Sequence, residues 1–312
     1  MAIYLITGVA GFIGSSLARA VLAQGDQVRG IDNFSTGKRD NIAEILHQID
    51  FREADLLNLD AIHDSCKGVD YIFHEAAIPS VPKSVLDPLG SNRANVDGTV
   101  HLLVAAKDAK VKRVIYAASS SAYGDTPTLP KHEGMTPNPI SPYAVAKLAS
   151  ERYMISFYRC YGLETVCLRY FNVFGPGQDP SSPYSGVLAR FIMQMLRGEQ
   201  PTIFGDGEQS RDFTYIDNVV DGNLLACHAP ATQAAGGVFN VATARRITLN
   251  ETFKALQSLT AYSGQPQYEA ERGGDIKHSL ADIALAKSAL GYKPKVDFEE
   301  GLRRTVEWYR GM

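Results

Sequence analysis

The N-terminal segment places the strongest constraint on what this chain of 312 residues can fold into. A short apolar run at residues 3–6 is followed at once by three glycines spaced G-x-x-G-x-x-G, and then by apolar residues at helical spacing. Strand, glycine turn and helix in this order form the setting in which a dinucleotide pyrophosphate binds at a helix N-terminus. The segment therefore predicts a dinucleotide site that includes Gly8, Gly11, Phe12, Ile13 and Gly14.

The second predicted strand, at residues 27–31, ends in Asp32 and Asn33. An acidic side chain at this point can accept hydrogen bonds from the adenosine ribose, whereas a 2′-phosphate would meet a like charge. The pattern therefore favours NAD over NADP. Lys38 and Arg39 follow closely in sequence, which leaves room for a phosphate contact.

Two later strand ends add to the predicted cofactor site. Asp55 and Leu56 follow a strand at residues 49–54 and are predicted to contact adenine. Ala76 and Ala77 follow a strand at residues 69–73, and their small side chains would let a cofactor lie against the backbone.

The alternation of strands and helices predicts the architecture. Strands separated by helical stretches indicate a doubly wound parallel α/β sheet of the Rossmann type. The predicted strands lie near residues 3–6, 27–31, 49–54, 69–73, 113–118 and 164–170. After Phe174 the elements become shorter and mixed. We therefore expect an NAD-binding Rossmann domain at residues 1–174 and a smaller mixed α/β substrate domain at residues 175–312, with the substrate held in the cleft between them.

A tyrosine and a lysine indicate acid–base chemistry. Tyr143 and Lys147 are four residues apart in a predicted helix, so both project from one face. An ammonium beside a phenol favours the phenolate, and the pKa of the tyrosine is expected to fall from about 10 toward neutrality. Such a phenolate could take a proton from an alcohol. By itself this pair is a weak signal, because the same spacing is common on solvated helices.

Composition excludes several classes of function. The chain has 31 Lys and Arg against 34 Asp and Glu, a net charge of −3, and no basic block, which argues against nucleic acid or an anionic membrane as partner. No apolar run approaches the ~20 residues of a membrane span, and no signal peptide is evident. The four cysteines form no C-x-x-C pair, and we expect buried free thiols in a reducing cytoplasm. The seven histidines never form H-E-x-x-H, and no metal site is predicted.

Taken in order, the motifs resemble those of the extended short-chain dehydrogenase/reductase family, and within it the UDP-hexose 4-epimerases. The resemblance covers essentially the whole chain and is strongest to the bacterial subgroup that acts on UDP-N-acetylhexosamines. The motifs that carry it are the glycine turn, Asp32, Asp55-Leu56, His74-Glu-Ala-Ala77, Ser119-Ser120-Ser121, Ser141-Pro-Tyr143-x-x-x-Lys147, Arg169-Tyr-Phe-Asn172, Gly205-Asp-Gly207, Ser210-Arg211-Asp and His278-Ser279.

The resemblance implies an NAD-dependent inversion at C4 of the sugar through a transient 4-keto intermediate. Tyr143 would act as the base, and Lys147 would hold the nicotinamide ribose. Ser119 would donate to the 4-oxygen, with Ser120 and Ser121 as neighbours, and Tyr170 would join the cofactor site. It also implies that residues 212–223 and 237–241 return to the cofactor half, and that the helices at 92–110 and 143–162 form a homodimer interface. The apolar stripes of these helices are equally compatible with ordinary core packing.

The substrate site is also implied by resemblance. Arg211 and Arg272 would grip the diphosphate, since a guanidinium binds phosphate in a bidentate way. Ser279 would lie where side-chain bulk admits or excludes a 2-acetamido group, and a serine is small. Pro79 departs from the glycine of the subgroup and leaves the exact preference open. The implied substrate-binding residues are Ser80, Asn172, Gln178, Arg211, Arg272, Asp275 and Ser279.

Three alternatives stay open. An epimerase of another nucleotide sugar, such as UDP-glucuronate, would differ only in pocket residues. A 4,6-dehydratase would need an Asp-Glu pair before its Tyr-Gly, where this chain has Ser120, Ser121 and Ala122. A non-catalytic Rossmann protein would be expected to lose Tyr143 or Lys147.

Overall fold

The computed structural model describes residues 1–180, 186–271 and 277–312. The strands are β1 (Ile3–Thr7), β2 (Gln27–Asp32), β3 (Asp50–Glu53), β4 (Tyr71–His74), β5 (Arg113–Ser119), β6 (Glu164–Tyr170), β7 (Val173–Phe174), β8 (Thr202–Phe204), β9 (Ser210–Asp212), β10 (Thr214–Tyr215), β11 (Gly237–Val241), β12 (Arg246–Thr248) and β13 (Gln267–Glu269).

The helices are α1 (Phe12–Ala23), α2 (Leu59–Cys66), α3 (Val81–Leu86), α4 (Pro88–Asn92), α5 (Gly98–Asp108), α6 (Pro142–Tyr161), α7 (Val187–Leu196), α8 (Ile216–His228), α9 (Ala231–Ala234), α10 (Leu249–Thr260), α11 (Ala284–Leu290) and α12 (Phe298–Arg310). A π-helical turn at Arg93–Asp97 joins α4 to α5.

Seven strands form one parallel sheet in the order β11-β6-β5-β4-β1-β2-β3. The predicted doubly wound Rossmann fold is therefore confirmed. The strand order reverses between β1 and β4, and a crevice opens at the carboxyl ends of strands at such a reversal. Gly8 follows β1 and Ala76 follows β4, so the predicted glycine turn lies at this crevice.

Alternating side chains of the sheet build two apolar layers, because successive residues of a strand point to opposite faces. On one face Tyr4 and Ile6 join a core that includes Leu17 of α1 and Val219 of α8. On the other face Leu5 packs in a core with residues of α2, α5 and α6. Each helix layer covers the sheet and leaves the carboxyl ends of the strands as the open edge.

The seventh strand comes from late in the chain. Residues 237–241 form β11 and pair with β6 throughout their length. The remaining late strands pair in three small ribbons, β7 with β10, β8 with β13 and β9 with β12. The last of these ribbons carries Arg211 beside the open edge of the large sheet.

The cysteines agree only in part with the sequence prediction. All four are free, and Cys66, Cys167 and Cys227 are buried. Cys160 is exposed, so the prediction of four buried thiols is wrong there. Cys160 lies in the last turn of α6 and is not among the buried residues of that helix.

In the part of the chain that the structure describes, no helix combines the length and apolar character needed to cross a membrane. Among the same residues, no three His, Cys, Asp or Glu side chains converge as metal ligands would.

Candidate active site

The glycine turn forms a cradle that a side chain would fill. Gly8 has φ +69°, and a Cβ added to it would lie 2.8 Å from the Cα of Ala76. A Cβ on Gly14 would lie 2.2 Å from the carbonyl oxygen of Gly8. Helix α1 begins at Phe12 with Gly11 as its N-cap and without a side-chain cap, so its first N–H groups point out of the turn. Backbone donors and this close packing fit a dinucleotide pyrophosphate.

Asp32 ends β2 and is held by the backbone around it. Its carboxylate accepts hydrogen bonds from the N–H of Ala10 at 2.9 Å and of Phe34 at 2.8 Å. Burial nevertheless raises the pKa of Asp32, against the opposing effect of these hydrogen bonds. Next to it the Asn33 amide donates to Asp55 at 2.7 Å, so the ends of β2 and β3 are tied together.

Two cations lie close in sequence to Asp32, and both are engaged with carboxylates. Lys38 pairs with Asp179 at 2.9 Å. Arg39 pairs with Glu53 at 2.6 Å and stacks 4.2 Å above the centre of the Phe34 ring. A 2′-phosphate would have to compete with these carboxylates, which agrees with the predicted preference for NAD.

The end of β4 forms the floor beside the glycine turn. His74 is buried, with its Nδ1 2.8 Å from the hydroxyl of Thr7 and its Nε2 2.8 Å from that of Thr99. Burial lowers the pKa of His74 to about 3, so the ring is neutral. The N–H of Ala76 also donates to the hydroxyl of Thr7 at 3.3 Å, which fixes the small residues Ala76 and Ala77 at the crevice.

Tyr143 lies in the first turn of α6, where Ser141 caps the helix. Its N–H donates to the hydroxyl of Ser84 at 3.0 Å. Burial raises the pKa of its phenol, and a hydrogen bond with Ser119 opposes that rise. Ser119 also accepts from the hydroxyl of Ser121 at 2.8 Å, so the predicted serine run is coupled to the tyrosine through Ser119.

Lys147 is one turn further along α6 and is buried. Its ammonium donates to the carbonyl of Ala117 at 2.8 Å and lies 4.8 Å from the centre of the Tyr116 ring. Burial lowers the pKa of Lys147 to about 8, and the nearby Glu75 opposes that change.

These positions correct one prediction. In the protein itself Lys147 does not lower the pKa of Tyr143 toward neutrality. The ammonium is directed to a carbonyl of β5, and the loss of solvent around the phenol outweighs its hydrogen bond with Ser119. Helical spacing brought the two residues to one face but did not fix where the lysine side chain ends.

Glu75 belongs to the same region and was not recognised from the sequence. Its carboxylate accepts a hydrogen bond from the hydroxyl of Tyr170 at 3.0 Å. Burial raises its pKa to about 7, and this effect exceeds the opposing attraction of Lys147. A charged residue within an otherwise small and apolar stretch after a strand was the available signal.

Three predicted substrate residues line one cavity of about 250 Å³. Asn172, Gln178 and Arg211 share it with Phe204 and the start of α7 at Val187. The cavity lies beside the end of β6, whose Tyr170 pairs in register with Ser119 of β5. Ser119 and the cavity residue Asn172 therefore lie at the ends of neighbouring strands.

Asn172 and Ser279 are joined directly. Asn172 has φ +26°, and its amide donates to the hydroxyl of Ser279 at 3.1 Å and to the carbonyl of Asp212 at 3.2 Å. The N–H of Asp212 donates to the same hydroxyl at 3.3 Å. The hydroxyl of Ser279 is thus bonded to Asn172, which lines the cavity.

The other predicted residues have separate outcomes. Ser80 is buried, and its hydroxyl caps α3 by accepting a hydrogen bond from the N–H of Lys83. Ser120 opens the short helical turn after β5. Leu56 is buried, and its carbonyl contacts His101. Arg272 and Asp275 lie outside the described residues.

Comparison with known proteins fixes the family. Residues 4–242 match the model of the NAD dependent epimerase/dehydratase family. The chain is 38% identical to a UDP-glucose 4-epimerase of Mycolicibacterium smegmatis over 310 residues, which cover 98% of both chains.

Two solved structures have the same fold over nearly the whole length. A UDP-N-acetylglucosamine 4-epimerase of Methanobrevibacter ruminantium is 42% identical, with a TM-score of 0.94 and coverage of 99% of this chain and 98% of that one. A UDP-glucose 4-epimerase of Thermotoga maritima is 40% identical, with a TM-score of 0.94 and coverage of 99% of both chains. The chain therefore belongs to the NAD-dependent epimerase/dehydratase family, within the extended short-chain dehydrogenase/reductases, and it is an NAD-using enzyme that groups with the UDP-sugar 4-epimerases.

Proposed function

We propose that the chain interconverts UDP-N-acetylglucosamine and UDP-N-acetylgalactosamine by inversion at C4, and that it also accepts UDP-glucose and UDP-galactose. The observation that carries the proposal is the cavity of Asn172, Gln178 and Arg211 beside the hydrogen-bonded pair of Ser119 and Tyr143. The first group can hold a nucleoside diphosphate, and the second can exchange a proton with a sugar hydroxyl.

The chemistry assigned to the chain is a proton transfer at the 4-oxygen. NAD, when bound, supplies the acceptor and then the donor of the C4 hydride. Tyr143 as phenolate removes the 4-hydroxyl proton and later returns it. When the sugar is bound, the single hydroxyl hydrogen of Ser119 turns from Tyr143 to the 4-oxygen, and Ser121 orients Ser119 through the 2.8 Å contact between their hydroxyls. Lys147 is directed along the carboxyl end of β5, where it can reach the cofactor ribose.

The nucleotide must be held tightly while the sugar turns, because both faces of the 4-keto sugar have to meet the cofactor. Arg211, which lines the cavity together with Arg190, is assigned to the diphosphate, and Asn172 lies beside it with its amide bonded to Ser279 and to the Asp212 carbonyl. Arg272 and Asp275 remain predicted contacts of the diphosphate and the uridine ribose. NAD is assigned to the other side of the crevice, where its predicted contacts are Gly8, Asp32 and Ala76.

Substrate preference is assigned through Ser279. The hydroxyl of Ser279 is bonded to Asn172 of the cavity wall, and the small size of this side chain supports the acceptance of a 2-acetamido group. The similarity to a UDP-N-acetylglucosamine 4-epimerase at 42% identity supports this choice. UDP-glucuronate is the alternative substrate, because a carboxylate at C6 would change only pocket contacts. Dehydration is disfavoured by Ser120 and Ser121, which cannot act as the acid and base of an elimination.

Substitution of the base tests the reaction. We expect Tyr143→Phe to keep NAD and UDP-sugar affinity within a factor of about two and to lower turnover by ~10²–10⁴, the usual contribution of a positioned acid or base. Tyr153→Phe is the matched control, since Tyr153 is on the exposed side of the same helix. A near-normal rate for Tyr143→Phe would remove Tyr143 from the mechanism.

The proposal assigns cofactor binding and substrate binding to different parts of the chain, and it includes a homodimer. Residues 1–174 would bind NAD, with α8 and β11 returning to that half, and residues 175–312 would bind the nucleotide sugar. The enzyme would act in the cytoplasm.

The proposed dimer surface lies on α6. Val145, on the outer side of that helix, is 52% exposed and borders a groove with Ile140 and Pro88. A second copy pairing through α5 and α6 would cover it.

Sedimentation equilibrium tests the dimer. We expect Val145→Glu to shift the protein toward monomer, while Leu285→Glu does not. Leu285 is similarly exposed, at 44%, but lies on α11. A wild-type protein that sediments as a monomer would refute this part of the proposal.

A further inference from the structure

Glu75 is an acidic side chain at the carboxyl end of the sheet, beside the cofactor crevice. It directly follows β4, and its N–H donates to the carbonyl of Thr7 at 3.2 Å. The next residue, Ala76, is the one that a Cβ on Gly8 would strike. The backbone of Glu75 is therefore fixed to the strand that leads into the glycine turn.

The hydrogen bonds around Glu75 have a defined direction. The amide of Asn223 donates to the carbonyl of Val219 and to the hydroxyl of Tyr170, both at 2.8 Å. The Tyr170 hydroxyl lies 3.0 Å from a Glu75 oxygen and 3.1 Å from the Asn223 oxygen, and its single hydrogen can be donated to either. Asn223 is buried on α8, so the chain of donors starts from a rigid helix. Because the Tyr170 oxygen accepts from Asn223, its hydrogen is available to Glu75, and an ionised carboxylate is the stronger of the two acceptors.

Among the residues that the structure describes, the titratable neighbours of Glu75 lie on α6, β6 and β4. Lys147 on α6 attracts it, Tyr170 on β6 is neutral because burial raises its pKa, and His74 on β4 is a neutral ring. Burial raises the pKa of Glu75 to about 7 and lowers that of Lys147 to about 8. The loss of a nearby positive charge raises the pKa of a buried carboxyl group, so it favours uptake of a proton by Glu75.

We propose that Glu75 is the proton-linked counter-charge of the bound cofactor: its carboxylate stabilises the positively charged oxidised ring, and it takes up a proton when that charge is lost. The inference rests on the proposed active site, because a ring that reaches the sugar beside Tyr143 must lie near Lys147 and hence near Glu75. The donor chain from Asn223 through Tyr170 holds the carboxylate in place.

The proton count follows from this assignment. Reduction of bound NAD⁺ consumes two electrons and one proton from solution. If Glu75 changes from carboxylate to carboxylic acid in the same step, a second proton is consumed. Two electrons and up to two protons are then taken up near neutral pH, whereas only one proton is taken up at alkaline pH, where Glu75 stays ionised.

The test is a redox titration of the NAD-loaded full chain against a mediator couple of known potential, from pH 6 to pH 9. The absorbance of the reduced cofactor monitors the reduction, and the change of midpoint potential with pH gives the number of protons taken up. We expect the wild type to take up more than one proton per electron pair near pH 7. Glu75→Gln should take up one proton at every pH. It should also weaken the preference for oxidised over reduced cofactor by about tenfold, a typical effect of one nearby charge. Asp217→Asn is the control, because it removes another carboxylate with a raised pKa on α8, paired with Arg304, and should behave as wild type.

A second variant keeps the test decisive if Glu75→Gln does not fold. Tyr170→Phe leaves the carboxylate but removes its donor, and should move the extra proton uptake to higher pH. If the wild type takes up only one proton per electron pair at every pH, the inference is overturned. It is also overturned if Glu75→Gln still takes up more than one proton, because the second proton would then belong to Lys147. The titration contains no sugar, so a failure to epimerise UDP-sugars would defeat the proposed function alone.

Discussion

Ser279 offers a prediction in which the effect of bulk can be separated from the effect of a hydrogen bond. Its hydroxyl accepts from the Asn172 amide at 3.1 Å and from the Asp212 N–H at 3.3 Å. Ser279→Ala removes both bonds and adds no atoms. Each hydrogen bond contributes about 0.5–1.5 kcal/mol to the stability of the folded site, so the stabilisation of Asn172 falls by at most ~3 kcal/mol. Because Asn172 lies in the nucleotide cavity, this loss should affect all UDP-sugars alike.

Ser279→Tyr removes the same bonds and in addition places a ring in the space assigned to the acetamido group. We expect its kcat/KM for UDP-N-acetylglucosamine to fall at least ~100-fold further than its kcat/KM for UDP-glucose, a difference of about 2.7 kcal/mol. UDP-glucose should lose no more than it does in Ser279→Ala.

The assay is the initial rate of C4 inversion for both sugars with the wild type and the two variants. The deciding quantity is the ratio of kcat/KM between the sugars. If alanine and tyrosine change that ratio equally, side-chain bulk at residue 279 is not what selects the substrate, and the assignment of Ser279 is wrong.

Three further predictions concern the cofactor, the core and the base. Gly14→Ala would place its Cβ 2.2 Å from a backbone oxygen, so we expect a loss of about 1–3 kcal/mol in unfolding free energy together with weaker NAD binding by calorimetry. Glu151→Ala would leave Arg169 buried without its bidentate partner and should lower the free energy of unfolding in urea by about 3–5 kcal/mol, whereas Glu299→Ala, which breaks an exposed pair, should cost under ~1 kcal/mol. Burial raises the pKa of Tyr143, and the base is the deprotonated form. Activity should therefore increase with pH above neutrality, and Ser119→Ala, which removes the bond that lowers this pKa, should shift the increase to higher pH.

The order of elements could be predicted from the sequence because each depends on local pattern. Apolar runs of strand length, a glycine turn and helical spacing are all properties of short segments, and six of the seven sheet strands were predicted in this way. The seventh, β11, lies after a stretch of mixed elements, and its pairing with β6 is a long-range contact. No local pattern states which strand will be its neighbour; family resemblance alone indicated that residues 237–241 return to the first half.

Side-chain electrostatics were the least predictable part of the site. The spacing of Tyr143 and Lys147 was sufficient to predict a shared helix face. The Ala117 carbonyl that accepts a hydrogen bond from the Lys147 ammonium, however, belongs to another element. Glu75 was hidden for the same reason, since its partner Tyr170 lies 95 positions further along the chain, and Asn223, which bonds to Tyr170, lies another 53 positions beyond that. A pKa depends on burial and on such distant neighbours, and neither can be obtained from spacing.

The measurement that tests the central claim most directly is proton NMR of UDP-N-acetylglucosamine incubated with the purified chain, with UDP-glucose and UDP-glucuronate in parallel and NAD supplied in a second series. The account predicts conversion of UDP-N-acetylglucosamine to the C4-inverted sugar and slower or equal conversion of UDP-glucose. Inversion of UDP-glucuronate alone would keep the mechanism and contradict the substrate assignment. No inversion of any of the three sugars with NAD present would contradict the proposed 4-epimerase activity.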